Sequence, residues 1–177
     1  MHIADGILPA EVAVGGLIVS GAITALTLKG VKGEDIPKIS ILSAAFFVAS
    51  LIHLPISGTS VHFILSGLLG VILGRYAFPS ILVGLFFQAI MFQHGGILSL
   101  GINSINLGLP ALICYFIFRL IRKRFKDKKT IIGITGGILG SLSIIISAFF
   151  VSVELFSMGQ QFSNVVKTVV IANLIIA

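Results

Sequence analysis

Long apolar runs, separated by short polar or glycine-rich connections, make up almost the whole chain. About 20 helical residues cross a bilayer core, and continuously apolar runs argue against the alternating strands of a membrane β-barrel. The seventh run has only about 13 apolar residues before the chain stops, so we expect a truncated last helix. The runs predict about seven transmembrane helices, over residues 7–28, 39–54, 62–74, 80–92, 105–121, 131–153 and from 165 onward.

Composition supports a single integral membrane domain over residues 1–177. Hydrophobic residues make up 56% of the chain, charged residues make up 10%, and the mean hydropathy is +1.15. A soluble domain of this size would need a charged surface, which this composition does not provide. The fold class that we predict is therefore an all-α, multi-pass membrane protein.

The basic residues are distributed as the positive-inside rule describes. Eleven of the 12 Lys and Arg residues lie in the connections after the first, third and fifth predicted helices. These alternate connections share one side of the membrane, which we assign to the cytoplasm, so the N-terminus is predicted outside. The net charge of +6 then reflects membrane topology, and we expect no nucleic-acid partner.

The histidines all fall on the opposite, outer face of this predicted topology, at His2, His53, His62 and His94. A single histidine at a helix end is most often an interfacial polar residue, and we interpret His53 in this way. Four imidazoles on one face, in a chain with one cysteine, favour a site for a borderline divalent metal such as nickel, cobalt, copper or zinc.

The second position of the chain offers a specific chelate. The α-amine of Met1, whose ordinary pKa is about 8, can bind a metal once it loses its proton. The backbone nitrogen and the ring Nδ1 of His2 can reach the same ion. These three nitrogens form two fused rings in one plane, which suits Ni(II) and Cu(II) and leaves a fourth place for a histidine of the outer face.

Two alternatives use the same histidines differently. An intramembrane metal-dependent enzyme would need a carboxylate at general-base spacing from a histidine, and the pattern H-E-x-x-H is absent. A haem-binding membrane protein with two axial histidines would need them at mid-bilayer, whereas these lie at helix ends. Hydrolytic turnover would support the first alternative, and a Soret absorption band would support the second. We expect a binding protein that has neither enzymatic activity nor an enzymatic cofactor.

Three separated stretches carry a family resemblance: MHIADGILP, PISGTSVHFILSGLLGVILG and FQHGGILSLGINSINLG. Together they resemble the signatures of the CbiM/NikM family, the substrate-binding integral membrane (S) components of energy-coupling-factor transporters for cobalt and nickel. The resemblance covers essentially the whole chain. It implies that the metal is held by the Met1 amine, the His2 amide nitrogen, the His2 ring and His62. Nickel and cobalt members share all three motifs, so the choice between the two metals stays open.

The resemblance also implies a set of partners and a location. The partners are a transmembrane T component, two cytoplasmic ATPase subunits that hydrolyse the ATP, and often a small additional membrane subunit. The location is the cytoplasmic membrane of a prokaryote, where membrane lipid surrounds the chain. S components contact the T component through small residues, which Ala45 and Ala49 supply at i, i+4 spacing. Packing within the S component is the alternative for these two alanines.

Five further residues are candidates for supporting the metal ligands without binding the metal: Asp5, Thr59, Ser60, His94 and Asn103. A carboxylate, hydroxyl or amide can fix a ligating imidazole through its second nitrogen. Each candidate also has an ordinary structural alternative. Asp5 could hold the N-terminal loop against the first helix, and His94 could be a plain loop residue. Ser60 could cap the third helix, and Asn103 could cap the fifth.

Overall fold

The computed structural model describes residues 2–56, 59–126, 128–159 and 163–176. This part of the chain forms seven α-helices and one two-stranded hairpin, with short 3₁₀ turns at Gly33–Asp35 and Gly74–Tyr76. The elements are α1 Ala10–Leu28, α2 Ile36–Leu51, β1 His53–Ile56, β2 Thr59–His62, α3 Ser66–Leu73, α4 Ala77–Phe92, α5 Leu100–Arg124, α6 Lys129–Ser157 and α7 Ser163–Ile176. The predicted all-α class is confirmed, and the short hairpin between α2 and α3 is an addition that the hydrophobic pattern did not predict.

Four helical stretches of the described chain are long and apolar enough to cross a membrane: Ala10–Leu28, Ser66–Phe92, Leu100–Arg124 and Lys129–Ser157. Helices α2 and α7 have 16 and 14 residues, fewer than the roughly 20 that a perpendicular crossing needs. The chain is thus a multi-pass membrane protein. The count of seven crossings and the side of the membrane on which the N-terminus lies remain predictions.

The stretch Ser66–Phe92 is folded back on itself near Gly74. A straight helix of its 27 residues would be about 40 Å long. The ring centroids of His62, which precedes α3, and His94, which follows α4, are nevertheless only 5.3 Å apart. Gly74 has a φ of +62°, which favours glycine, and a Cβ there would lie 3.0 Å from the Tyr115 ring. Helices α3 and α4 therefore form a helical hairpin that brings these two histidines to one end of the bundle.

Helix α5 is central to the bundle and packs against α1, α3, α4 and α6. Small residues allow this close approach. A Cβ on Gly101 would overlap the backbone of Gly16 in α1, and a Cβ on Gly70 of α3 would overlap the carbonyl of Ala111. Such close contacts hold helices together by dispersion forces in lipid, where burial of apolar surface from water no longer helps. The buried core around α5 includes Phe46, Leu69, Ile81, Leu85 and Leu107.

Helix α5 begins at Leu100, earlier than the predicted start at residue 105. The polar stretch GINSIN therefore lies inside the helix, because its side chains find partners in the bundle. Ser104 Oγ lies 2.6 Å from Ser20 Oγ, and Asn106 Nδ2 donates to Glu154 Oε2 at 2.7 Å. Buried polar groups are tolerated when they are paired in this way. Ser99 occupies the N-cap position of α5 and Asn103 lies inside the helix, so the interpretation of Asn103 as the cap is wrong.

The predicted basic connections meet at one end of the bundle. Arg75, in the turn between α3 and α4, donates to the Tyr76 hydroxyl at 3.1 Å. That hydroxyl lies 3.4 Å from the Gly30 carbonyl and 3.4 Å from the Asp35 carboxylate, both in the connection after α1. Arg122, near the end of α5, borders the same region. The histidine end of the α3–α4 hairpin is the opposite end.

Candidate metal centre

Three histidines from distant parts of the chain converge at one end of the bundle. The ring centroids of His2 and His62 are 5.7 Å apart, and those of His62 and His94 are 5.3 Å apart. His94 follows the end of α4, where Gln93 adopts a left-handed conformation with a φ of +53°. The structure thus brings together His2 and His62, the two histidines that were assigned as ligands.

The β-hairpin sets the position of His62. Strand β2 pairs with β1 in antiparallel register, with His53 opposite His62. The backbone N–H of Phe63 then donates to the Ile52 carbonyl at 3.1 Å, which ties the chain after His62 to the end of α2. The side chain of His53 lies outside the described part of the structure, so its interfacial role remains a prediction.

Two candidate residues, Thr59 and Ser60, belong to strand β2. Helix α3 begins at Ser66, and Leu65 occupies its N-cap position. The interpretation of Ser60 as the cap of this helix is therefore wrong, since the hairpin separates the two. The side chains of Thr59 and Ser60 lie outside the described part of the structure, and their proposed support of His62 remains a prediction.

The backbone directly after His2 is held against α5 by a two-point amide clamp. The Ile3 N–H donates to Asn103 Oδ1 at 2.9 Å, and Asn103 Nδ2 donates to the Ile3 carbonyl at 3.0 Å. The Ile3 side chain is only 2% exposed and packs against Val151 and Leu155 of α6. Asn103 therefore braces the N-terminal segment that carries His2, and its support of the metal ligands remains a prediction.

Asp5 joins the N-terminal segment to the start of α5. Its Oδ1 accepts from the Ser99 N–H at 2.8 Å, and its Oδ2 accepts from the Leu98 N–H at 3.3 Å. Partial burial raises the pKa of Asp5, but these hydrogen bonds outweigh burial, so the pKa lies below its ordinary value. The negative charge also suits the N-terminal end of a helix. Asp5 thus holds the loop against α5, not against α1 as the sequence interpretation had it.

The pair Gly95 and Gly96 leaves room for this seated N-terminus. Gly95 has a φ of +81°, and a Cβ there would lie 2.9 Å from Asn103 Nδ2 and 3.4 Å from His2 Cβ. A Cβ on Gly96 would overlap the carboxylate of Asp5. The Asp5 N–H also donates to the Gly95 carbonyl at 3.3 Å. Larger residues at either position would displace the segment that carries His2.

The proton position on His62 follows from its hydrogen bond. Its Nδ1 lies 2.9 Å from the carbonyl oxygen of Ser50. A carbonyl only accepts hydrogen bonds, so Nδ1 carries the proton in the neutral ring. Nε2 then carries the lone pair that a metal ligand needs. Metal-binding histidines are commonly oriented by such a hydrogen bond from their second nitrogen.

Ser50 and Gln88 extend this network, and the sequence reasoning missed both. Gln88 Nε2 donates to Ser50 Oγ at 2.6 Å, and Ser50 Oγ also lies 2.6 Å from the Phe47 carbonyl. The backbone carbonyl of Gln88 accepts from the His94 N–H at 3.2 Å. The available signal was a lone polar residue in each of the apolar runs FFVASLI and LFFQAIM. In a membrane-spanning helix such a residue requires a partner.

The His2 ring is partly buried, and its Nδ1 is fully buried with no hydrogen-bond partner among the described residues. Burial lowers the pKa of His2 well below its ordinary value, and nearby positive charge, including that of His62 and His94, lowers it further, whereas an interaction of the ring with the Gln88 side chain raises it by less. The ring is therefore neutral at pH 7. A buried, neutral imidazole with an unpartnered Nδ1 matches what a chelate through the chain's own N-terminus requires.

Side chains alone do not complete a metal site in the described chain, where no three His, Cys, Asp or Glu side chains form a group able to hold an ion. Met1 lies outside the described residues, so its metal bond remains a prediction. The His94 ring also lies 6.3 Å from the Phe92 ring. The support of the metal ligands by His94 is likewise a prediction.

The two alanines proposed for docking lie on α2. Ala45 is exposed and Ala49 is partly buried. The inward side of this helix is occupied by Phe46, which packs so closely on Gly84 of α4 that a Cβ on that glycine would lie 2.5 Å from its ring. Ala45 therefore lies on the surface of the bundle, and its contact with a T component remains a prediction.

The multi-pass helical bundle with an imidazole cluster at one end defines a membrane protein with a candidate transition-metal site. The family model for the cobalt uptake substrate-specific transmembrane region, CbiM, matches residues 2–177. The chain belongs to this CbiM family.

Two relatives illustrate the family. The chain is 31% identical over 164 residues to the cobalt transport protein CbiM of Clostridium tetani, covering 88% of this chain and 66% of that protein. It is also 31% identical over 159 residues to a provisionally named fused nickel transport protein, NikMN, of Archaeoglobus fulgidus, covering 88% of this chain and 52% of that protein. The chain thus spans about half to two thirds of the length of these relatives.

A solved structure supports the same fold. The chain is similar to a truncated transition metal transporter known from a crystal structure, with a TM-score of 0.78 and 26% sequence identity. The similarity covers 100% of this chain and 91% of that one. The overall fold of the bundle therefore already occurs in a solved transition metal transporter.

Proposed function

We propose that this chain is the metal-binding S component of an energy-coupling-factor transporter that takes up Ni(II) or Co(II). The observation that carries the proposal is the pairing of two imidazoles. The buried Nδ1 of His2 has no described partner, and the adjacent His62 is held so that its Nε2 carries a lone pair. The membership of the chain in the CbiM family supports a transported metal as the ligand.

The proposed ligand set has four nitrogens. Three come from the N-terminus, namely the Met1 amine, the His2 amide nitrogen and His2 Nδ1, and the fourth is His62 Nε2. Two fused chelate rings favour a planar arrangement, which suits Ni(II) best and still admits Co(II). Binding displaces protons from the amine and the amide, so affinity falls in acid medium.

The surrounding residues keep these ligands in place. Ser50 orients the His62 ring through its carbonyl, and Gln88 holds the Ser50 side chain. Asn103 and Asp5 hold the backbone on the C-terminal side of His2. These contacts support the proposal because they hold His2 and His62 in position, which reduces the conformational entropy that metal binding must overcome.

The proposed transport cycle requires partners. The metal enters from outside, and a T component with two cytoplasmic ATPase subunits drives its release into the cell, with a small additional membrane subunit where one is present. Ala45 and Ala49 are the proposed contact with the T component. The chain itself hydrolyses nothing. The carboxylate of Asp5 is occupied by the start of α5, which argues against its use as a general base beside the histidines.

Isothermal titration of detergent-purified chain with Ni(II) and Co(II) tests the ligand set. The native protein is compared with a variant that has one extra residue before Met1 and with His62→Ala. A variant with one extra residue after Ala177 is the control for the extension. We expect the N-terminal extension and His62→Ala to abolish tight binding while the C-terminal extension does not.

The contrary outcome is equally defined. If the N-terminally extended protein binds as tightly as the native chain, the N-terminal chelate is wrong. The metal would then have to bind among the remaining imidazoles, and His53→Ala and His94→Ala would identify which of them take part. A chain that binds neither metal in its native form would contradict the proposed function itself.

A further inference from the structure

A cavity of about 610 Å³ lies at the basic end of the bundle, on the opposite side from the histidines. Arg75 contributes to it from the turn between α3 and α4. The other charged side chains come from the end of α5 and the residues just after it, namely Arg119, Arg122, Lys123 and Lys126. We call this cavity, with its five cations, the basic pocket.

The charges of the basic pocket lack a negative partner in the described part of the chain. The ion pair found among the described residues is Lys32 with Glu34, at 3.5 Å, and neither residue lines the pocket. The four cations from the α5 end make no ion pair or hydrogen bond with a described residue. Like charges that line one pocket repel one another, and a bound anion relieves that repulsion.

The side chains that line the pocket favour a phosphate. Arg75 donates to the Tyr76 hydroxyl at 3.1 Å, so its guanidinium is held at the pocket wall. The Tyr115 ring, which also lines the pocket, packs over Gly74. Guanidinium groups offer paired N–H donors that match two oxygens of a phosphate, and three of the five cations are arginines.

The remaining wall of the pocket is apolar. Val71, Leu73 and Phe118 line it. A ligand with a phosphate head and hydrocarbon tails therefore matches both parts of the site, whereas a soluble anion matches one.

We propose that the basic pocket binds the head group of an anionic phospholipid. A head group with two phosphates, as in diphosphatidylglycerol, uses the five cations best. Basic pockets between transmembrane helices are known to bind such head groups. Membrane topology alone requires positive residues in these connections but does not require them to converge on one cavity. The site is separate from the metal centre and does not depend on the proposed metal ligands.

The test uses the delipidated chain of residues 1–177 in neutral detergent. Lipid binding is measured by native mass spectrometry during titration with diphosphatidylglycerol, with phosphatidylcholine as the neutral lipid and inorganic pyrophosphate as the soluble phosphate. The double variant Arg119→Gln/Arg122→Gln removes two pocket charges. The matched control Arg124→Gln/Lys129→Gln removes two charges from the same region that do not line the pocket.

We expect the pocket variant to bind diphosphatidylglycerol about 10- to 30-fold more weakly, since each basic residue near a membrane surface contributes roughly a factor of five. The control variant should stay within about twofold of the unmodified chain. Each single variant, Arg119→Gln and Arg122→Gln, is measured as well, so a double variant that fails to fold still leaves a result. The melting temperature without lipid verifies folding.

Three results would overturn the proposal. Equal weakening in the pocket and control variants would mean that charge acts diffusely and not through the pocket. Pyrophosphate that competes with the lipid at similar affinity would identify a site for soluble phosphates. Equal binding of phosphatidylcholine would mean that the apolar wall alone holds lipid.

Discussion

The amide clamp between Asn103 and Ile3 offers the sharpest test of how the fold supports the metal centre. Asn103→Ala removes the acceptor for the Ile3 N–H and the donor to the Ile3 carbonyl, which lie 2.9 Å and 3.0 Å from the amide atoms. Neither atom of Asn103 is a proposed metal ligand. The substitution therefore changes the placement of His2 without changing the chemistry of the ligands.

The size of the effect follows from burial. Ile3 is 2% exposed, so its backbone N–H cannot easily find water in place of Asn103. A buried donor without a partner costs about 1–3 kcal/mol. This cost destabilises the state in which the N-terminal segment packs against α5. If metal binds only to that state, metal affinity falls by about 5- to 150-fold, because each 1.4 kcal/mol is roughly a factor of ten.

The assay is isothermal titration with Ni(II) on chain with a native N-terminus. Asn164→Ala is the matched control, since Asn164 is an exposed residue of α7. At saturation, the visible absorption spectrum of the bound metal should be the same in Asn103→Ala and the unmodified chain, because the ligands are unchanged. An Asn103→Ala protein with unaltered affinity, and with unaltered hydrogen exchange at the Ile3 amide, would refute the reasoning.

Three further outcomes are expected. Gly96→Ala puts a Cβ into the carboxylate of Asp5 and should lower stability by about 1–3 kcal/mol in thermal melts, whereas Gly136→Ala, with open space around it, should not. Gln88→Leu leaves the buried serine of α2 without its donor and should weaken Ni(II) binding by about tenfold or more in the same titration; unchanged affinity would contradict the role assigned to this network. The folded-state pKa of His2 is lowered, so below about pH 6.5 the unfolded chain binds more protons than the folded one. The free energy of unfolding should therefore decrease as the pH is lowered, until the pH reaches the lowered pKa. Melting temperatures at pH 7.5 and 5 measure this loss, and a His2→Asn variant that shows the same loss would assign it to another group.

Several features of this protein could be read from the chain alone. The helices lie close to the predicted runs because the length of an apolar segment in a membrane is set by bilayer thickness and backbone hydrogen bonding, both of which act locally. The basic end of the bundle was also predictable, since alternate connections of a membrane bundle must share one side. The pairing of His2 and His62 at the other end followed from the same alternation, together with the motifs that carry the family resemblance.

Other features were decided by tertiary contacts. Asn103 and Ile3 are 100 positions apart, and Asp5 and Ser99 are 94 apart, so no local pattern relates them. The polar residues at the start of α5 were predicted to lie outside the helix, because the partners that make their burial possible lie on other helices. Ser50 and Gln88 are lone polar residues in apolar runs, and the sequence does not show that they bond to each other. Their hydrogen bond exists because α2 and α4 pack side by side.

Sequence by itself therefore determined which segments form apolar helices and which nitrogens are available to a metal, because hydrophobicity and ligand chemistry belong to single residues and short spacings. Only the tertiary structure decided which nitrogen of His62 carries the proton, which amide seats the N-terminus and which cations share one pocket. Each of these depends on a distance between residues far apart in the chain, and such distances are set by the packing of helices around α5.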